Sequence, residues 1–295
     1  MTRVPVLRLA GLHLTPQVRR SAPPRLPATA TQLSRRVLDA GRLEISCWQL
    51  PGAGRYRVYS SDAGTFDLDA RKGKVHCHLL SGARRVAWEE TLRGPVCSFY
   101  LLDRGFEPLH AGAVVHRGRA MALVGAPGAG KSSLTAWLAR QCGGFLSDDV
   151  LPLKKAGRRV LAFTGLPHLR LTPPSVRPLG WSAAGTVSRA EKISVPIHAR
   201  LRPGGHPLAR VYLLERCAPR RRAAIAIETV SPREAFLCLA GNTLNAVLRT
   251  PVRMERQLRV FGWVANHVAV RRLSYPSGFE HLPGVWEVIQ RDLSS

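Results

Sequence analysis

The residues with the clearest chemical potential are the run Gly125, Ala126, Pro127, Gly128, Ala129, Gly130, Lys131 and Ser132, with Ser133 directly behind it. The pattern Gly-x-x-x-x-Gly-Lys-Ser puts glycines where a backbone must curl its amides around phosphate oxygens. It also sets a lysine for the β- and γ-phosphates and a hydroxyl for Mg²⁺. A second element, Asp148-Asp149, follows 17 residues after Lys131. Paired carboxylates at the end of a buried strand are costly unless cations or hydrogen bonds compensate them, and the Mg²⁺ of a nucleoside triphosphate would do so. Adjacent strand residues point to opposite sides, so the two acids should divide the work. One would face the metal, with Ser132 and Asp149 as the candidate pair, and the other would accept the proton of an attacking hydroxyl. The alternative is that two acids merely open an exposed turn.

Those residues need a strand leading into the glycines and a helix leading out. Residues 111–116 and 119–124 are apolar runs joined by Arg117-Gly118, a two-residue hairpin connection in which Gly118 supplies positive φ. Pairing His116 with Arg119 places His110 opposite Gly125, an imidazole beside the mouth of the loop. Ser132 to Gln141 reads as a helix with Leu134, Trp137 and Leu138 on one face, ended by Gly143-Gly144. Phe145 to Leu153 reads as one buried strand carrying both aspartates. Further strands are expected at 160–163, 168–171, 210–214 and 268–275, and helices at 231–247, 254–267 and 283–293. The first of these helices is capped by Ser231 with Glu234 three residues on.

Upstream of this α/β region (106–295), residues 41–105 show short alternating runs and read as a small β-rich unit, closed by a helix over 88–102. Nothing catalytic stands out there. Residues 1–40 contain arginines and the proline-rich stretch 22–27 but almost no acid, and read as a disordered basic leader. The chain has 295 residues and a formal charge of +25, carried mostly by arginine and spread throughout. No nucleic-acid-binding module accompanies that charge, so it reads as biased composition on a solvated surface. Six scattered cysteines form no Cys-x-x-Cys pair, and His76-Cys77-His78 would split its ligands between two strand faces, which argues against a metal site. No apolar run reaches the length of a membrane span. These features lead us to expect a soluble cytoplasmic protein, with self-association left open.

Spacing separates phosphate-loop classes. An acid so soon after the lysine leaves room for one short helix and an immediate strand, and no Asn-Lys-x-Asp guanine-reading sequence occurs. The series Leu109-His110-Ala111-Gly112-Ala113-Val114-Val115, the phosphate loop, and Leu146-Ser147-Asp148-Asp149 resembles the C-terminal kinase domain of HPr kinase/phosphorylase and its bacterial relatives, lasso peptide kinases among them. The resemblance is strongest over 106–153. It implies a fold like phosphoenolpyruvate carboxykinase and ATP- and Mg²⁺-dependent transfer to a Ser/Thr hydroxyl of a peptide or small protein. In that scheme Lys131 and the loop amides hold phosphates, Ser132 binds Mg²⁺, the aspartates supply the base and a metal contact, and His110 supports the catalytic carboxylate. The acidic signature those kinases carry after the aspartates is replaced here by Thr164 to Leu171, so HPr itself does not follow as the acceptor. Arg170 and Lys192 are candidates for a substrate or phosphate contact. A small-molecule hydroxyl kinase, or a nucleotide-responsive peptide-binding module, would carry the same loop.

Overall fold

A computed structural model describes residues 5–38, 42–182, 192–197, 204–217 and 225–294. The chain opens with seven strands: β1 (Leu7–Leu9), β2 (Leu12–Arg19), β3 (Thr31–Leu38), β4 (Leu43–Gln49), β5 (Arg55–Ser60), β6 (Gly64–Asp69) and β7 (Lys74–Leu79). They form one sheet in the order β1-β2-β7-β6-β5-β4-β3. Its register is pinned by Arg57, which faces Asp67 across β5 and β6 and meets both carboxylate oxygens, at 2.6 and 2.7 Å.

The disordered leader expected over 1–40 is corrected here, because Leu7 to Leu38 supplies three of these strands. Leu9 and Leu14 alternate inward and are fully buried in the core, while β2 pairs in parallel with β7 and β3 pairs with β4. The proline-rich stretch lies against the sheet, with the Pro24 carbonyl accepting from Arg57 and the Ser21 carbonyl 2.9 Å from His78 Nδ1. Composition misled because apolar alternation and distant ladder partners outweigh a lack of acids. Leu14→Ala should therefore cost about 2 kcal/mol or more in chemical denaturation; a loss within error of zero would mean that this strand contributes nothing.

A helical segment closes the core of this sheet. It comprises α1 (Arg85–Thr91), a π-helical turn at Leu92–Val96 containing Pro95, and α2 (Cys97–Asp103). Trp88, Leu92, Val96 and Phe99 pack with Val58, Phe66, Val75 and Cys77.

The second sheet uses β8 (Glu107–Leu109), β9 (Gly112–His116), β10 (Arg119–Val124), β11 (Phe145–Ser147), β12 (Leu151–Ala156), β13 (Arg159–Ala162) and β16 (His206–Cys217), in the order β11-β9-β10-β16-β13-β12-β8. β18 (Ala269–Pro276) runs parallel to β16, and β17 (Ala226–Thr229) pairs with β18. A separate hairpin joins β14 (His168–Leu171) to β15 (Ile193–Pro196). One face is covered by α5 (Pro232–Gly241) and α6 (Pro251–His267), the other by α3 (Lys131–Cys142), the β14–β15 hairpin and α7 (Leu282–Ser294). A single short turn of helix, α4 (Pro173–Val176), follows β14. Among the described residues, no helix is long and apolar enough to cross a membrane.

The β9–β10 hairpin has the expected register, with His116 facing Arg119 and Gly112 facing Leu123; Arg117 and Gly118 both take positive φ, 49° and 79°. The single strand expected over 145–153 is a correction. It is two strands with a bend at Asp148–Val150, because β11 pairs with β9 whereas β12 pairs with β8 and β13. β8 and β9 are interrupted opposite that bend, at His110 and Ala111. The pairs that flank the bend share one register, Ser147 facing Ala113 and Leu151 facing Leu109, and an irregularity between Phe145 and Ser147 shifts it by one residue beyond. The result is one long antiparallel pair opened in the middle.

Candidate active site

The phosphate loop sits between β10 and α3, as the strand–loop–helix pattern requires. Gly130 is the N-cap of α3 with φ 90°, and a side chain there would come within 2.6 Å of the Tyr275 hydroxyl, so both conformation and space demand glycine. That hydroxyl donates to the Ala129 carbonyl at 3.0 Å, tying the loop to β18. Lys131 is buried and turns its ammonium back onto the Gly125 and Ala126 carbonyls, at 2.6 and 3.3 Å. Burial pulls its pKa below the usual lysine value. The first-turn amides of α3, including those of Ser132 and Ser133, have no partner within the helix and carry its positive dipole end.

The two aspartates face different surroundings. Asp148 is 2 % exposed; its Oδ2 accepts from the Arg170 amide at 2.7 Å, and the Ser132 side chain stands near enough to the same carboxyl to favour its ionised form. Its Oδ1 is buried with no hydrogen-bond partner among the described residues. Burial, reinforced by the charge of Asp149, pushes its pKa up to about 7. Burial is the largest single influence on Asp149 and works against its ionisation too, but the charges around it, that of the Arg170 guanidinium first and that of Lys192 with it, together hold that carboxyl below its usual value.

An acid whose folded value lies above its unfolded value binds a proton on folding. The stability contribution of Asp148 is therefore greatest at low pH and is lost as pH rises from the ordinary carboxylate range towards about 7. Without nucleotide or metal, Asp148→Asn should accordingly raise the thermal midpoint relative to wild type, and the difference should grow across that window. A pH-independent difference would contradict the buried, protonating carboxyl.

Asp149 opens onto a cavity of about 250 Å³. His110 lines it on one side, its Nδ1 3.1 Å from the Asp149 backbone carbonyl. A carbonyl only accepts, so the ring carries its proton on Nδ1 and keeps a lone pair on Nε2; burial lowers its pKa and favours this neutral form. His110 is thus held to the backbone of Asp149 and not to its carboxylate. Arg170 spans the cavity from Asp149 Oδ2 (3.3 Å) to Glu90 Oε1 (2.6 Å). Lys192 stands close enough for its charge to act on Lys131, His110 and both aspartates.

No family model and no curated protein sequence matches the chain. Among solved structures it is similar to the HPr(Ser) kinase/phosphatase from Coxiella burnetii, at 13% identity and a TM-score of 0.33, over 64% of this chain and 97% of that one. The likeness is distant.

Sequence reasoning missed one wall of the cavity. Glu89, Glu90, Arg93 and Gly94 come from α1 and the π-helical turn, within the unit where nothing catalytic stood out. His168 was missed as well; burial, then the charge of Arg93, takes its pKa down to about 4, so it is neutral. The only signal in the sequence was a helix rich in i,i+4 charge pairs, which ordinarily marks a solvent face. Glu89 does pair with Arg85 and Arg93, at 2.6 and 3.2 Å.

The residues present fit a phosphate chain and its cation. A buried carboxylate oxygen without a hydrogen-bond partner among the described residues, the Ser132 hydroxyl near the same carboxyl and a helix N-terminus lie together with a lysine. Among the described residues no group of three His, Cys, Asp or Glu side chains forms a metal cage, His76 and His78 included.

Proposed function

We propose that the protein is an ATP- and Mg²⁺-dependent kinase that transfers a γ-phosphoryl group to a hydroxyl. The observation that carries this reading is the placement of two unlike carboxylates beside the phosphate loop, Asp148 against Ser132 and Asp149 on the cavity. The geometry favours Asp148, with Ser132, for Mg²⁺ and Asp149 for the base, the reverse of the metal assignment read from sequence. Bound there, Mg²⁺ supplies charge neutralisation on the transferring phosphate. Lys131 exchanges its two loop carbonyls for phosphate oxygens, and the α3 amides orient the chain. Asp149, kept ionised by Arg170, takes the proton of an acceptor hydroxyl in the cavity as that oxygen attacks phosphorus and the bond to the β-phosphate oxygen breaks. His110 holds the Asp149 backbone in place.

The cavity volume favours a small hydroxyl compound, or a single residue of a peptide, over a folded protein surface as acceptor. Incubation with γ-labelled ATP and Mg²⁺ should label small hydroxyl compounds or serine peptides with the wild type and not with Lys131→Ala. Binding of ATP without transfer or hydrolysis above that control would instead support a nucleotide-responsive binding module.

A further inference from the structure

β10, β16 and β18 run parallel and end at one edge of the sheet, where open α/β sheets take ligands. The aspartates and their cavity lie to the β11 side of the phosphate loop, so a triphosphate must point its γ end that way. Its nucleoside must then leave on the other side, towards β16 and β18. On that side Gly125 and Ala126 form the wall of a second cleft, also of about 250 Å³. Val124, Leu213 and Cys238 give it apolar walls, and Asn242, Glu215 and Arg272 give it polar groups. Asn242 donates its Nδ2 to the Cys238 carbonyl at 2.8 Å, which fixes the plane of the amide and leaves its oxygen as an acceptor. Arg272 is balanced by Glu215, Glu228 and Glu234, so the cleft offers no unmatched positive charge for a second phosphate. Apolar walls with a fixed amide suit an uncharged planar ring.

We propose that the cleft between β10, β16 and α5, bounded by Val124, Leu213, Cys238 and Asn242, holds the base of the nucleotide. The assignment rests on the phosphate-loop reading above. Cys238 is a half-buried thiol inside the cleft, and burial followed by the charge of Glu234 raises its pKa, so it should be alkylated slowly by N-ethylmaleimide at mildly alkaline pH. Labelling can be followed residue by residue by mass spectrometry, with the half-buried Cys142 at the far end of α3 as internal control. With calorimetry supplying each Kd, ATP·Mg²⁺ at ten times its Kd should slow labelling of Cys238 about tenfold. Tripolyphosphate at the same saturation should leave Cys238 as reactive as in the free protein, and neither ligand should change Cys142. Cys238→Phe should weaken ATP about tenfold and leave tripolyphosphate affinity unchanged. Equal protection by both ligands, or none by ATP that is shown to bind, overturns the base site. If neither ligand binds, the phosphate-loop reading fails first and the base site goes with it.

Discussion

Replacing Asp149 by asparagine should reduce phosphoryl transfer by about 10²–10⁴, the usual worth of a positioned general base, while nucleotide affinity stays within a few-fold of wild type. The separation follows from the geometry. Asp149 faces the cavity with Arg170 and His110, whereas the loop, Lys131 and Ser132 make the phosphate site without it. Single-turnover transfer measured beside calorimetric ATP binding distinguishes the two effects. Lys131→Ala should show the opposite balance, losing binding together with transfer. Undiminished transfer by Asp149→Asn would remove the proposed base.

A second large effect is expected far from the chemistry. Glu107, fully buried on β8, accepts from Arg253 at 2.9 and 3.3 Å, from Thr243 at 2.8 Å and from Gln257 at 2.9 Å, and pairs with Arg256 at 3.3 Å. Arg253 is itself 2 % exposed and also donates to the carbonyls of Leu244, Asn245 and Leu248. Arg253→Met takes the more deeply buried of two guanidinium partners from the Glu107 carboxylate and a donor from each of three carbonyls, and should cost about 3–5 kcal/mol in urea unfolding. The double variant Glu107→Leu, Arg253→Met should recover part of that loss, because the fully buried carboxylate goes with its buried partner and only the partly exposed Arg256 gives up an ion pair. A single-variant loss below about 1 kcal/mol, or strict additivity, would show that the pair is not coupled.

Different parts of this molecule were legible to different degrees. The phosphate loop, its hairpin and the start of α5 could be read locally, because glycine conformations and caps act within a few residues; Ser231 does cap that helix, accepting from the Glu234 amide at 3.3 Å. The N-terminal strands could not, since β2 finds its partner in β7, some sixty residues away, and composition carries no trace of that ladder. The aspartates were set in the wrong element, because alternation along 145–153 continues through a bend that only the choice of partner strands creates. Arg170 was picked out for a substrate or phosphate contact; the structure joins it to Asp149 and Glu90 on the cavity wall. Glu90 and Arg93 were invisible as site residues because a charged helix face looks the same whether it meets water or a cavity. Glu191, beside the candidate Lys192, lies outside the described residues.

The opened strand pair at His110–Ala111 and Asp148–Val150 constrains how the gene can vary. Because β11 and β12 are registered with β9 and β8 on both sides of the opening, a codon lost or gained between Ser147 and Leu151 cannot be absorbed as it could in an ordinary connection. It would turn every side chain of β12 to the opposite face and pull Asp149 away from the His110 ring. Drift through this stretch is therefore closed to changes in length as well as to exchange of its two aspartates, and deep insertion–deletion scanning should find a gap there as sharp as at the phosphate loop.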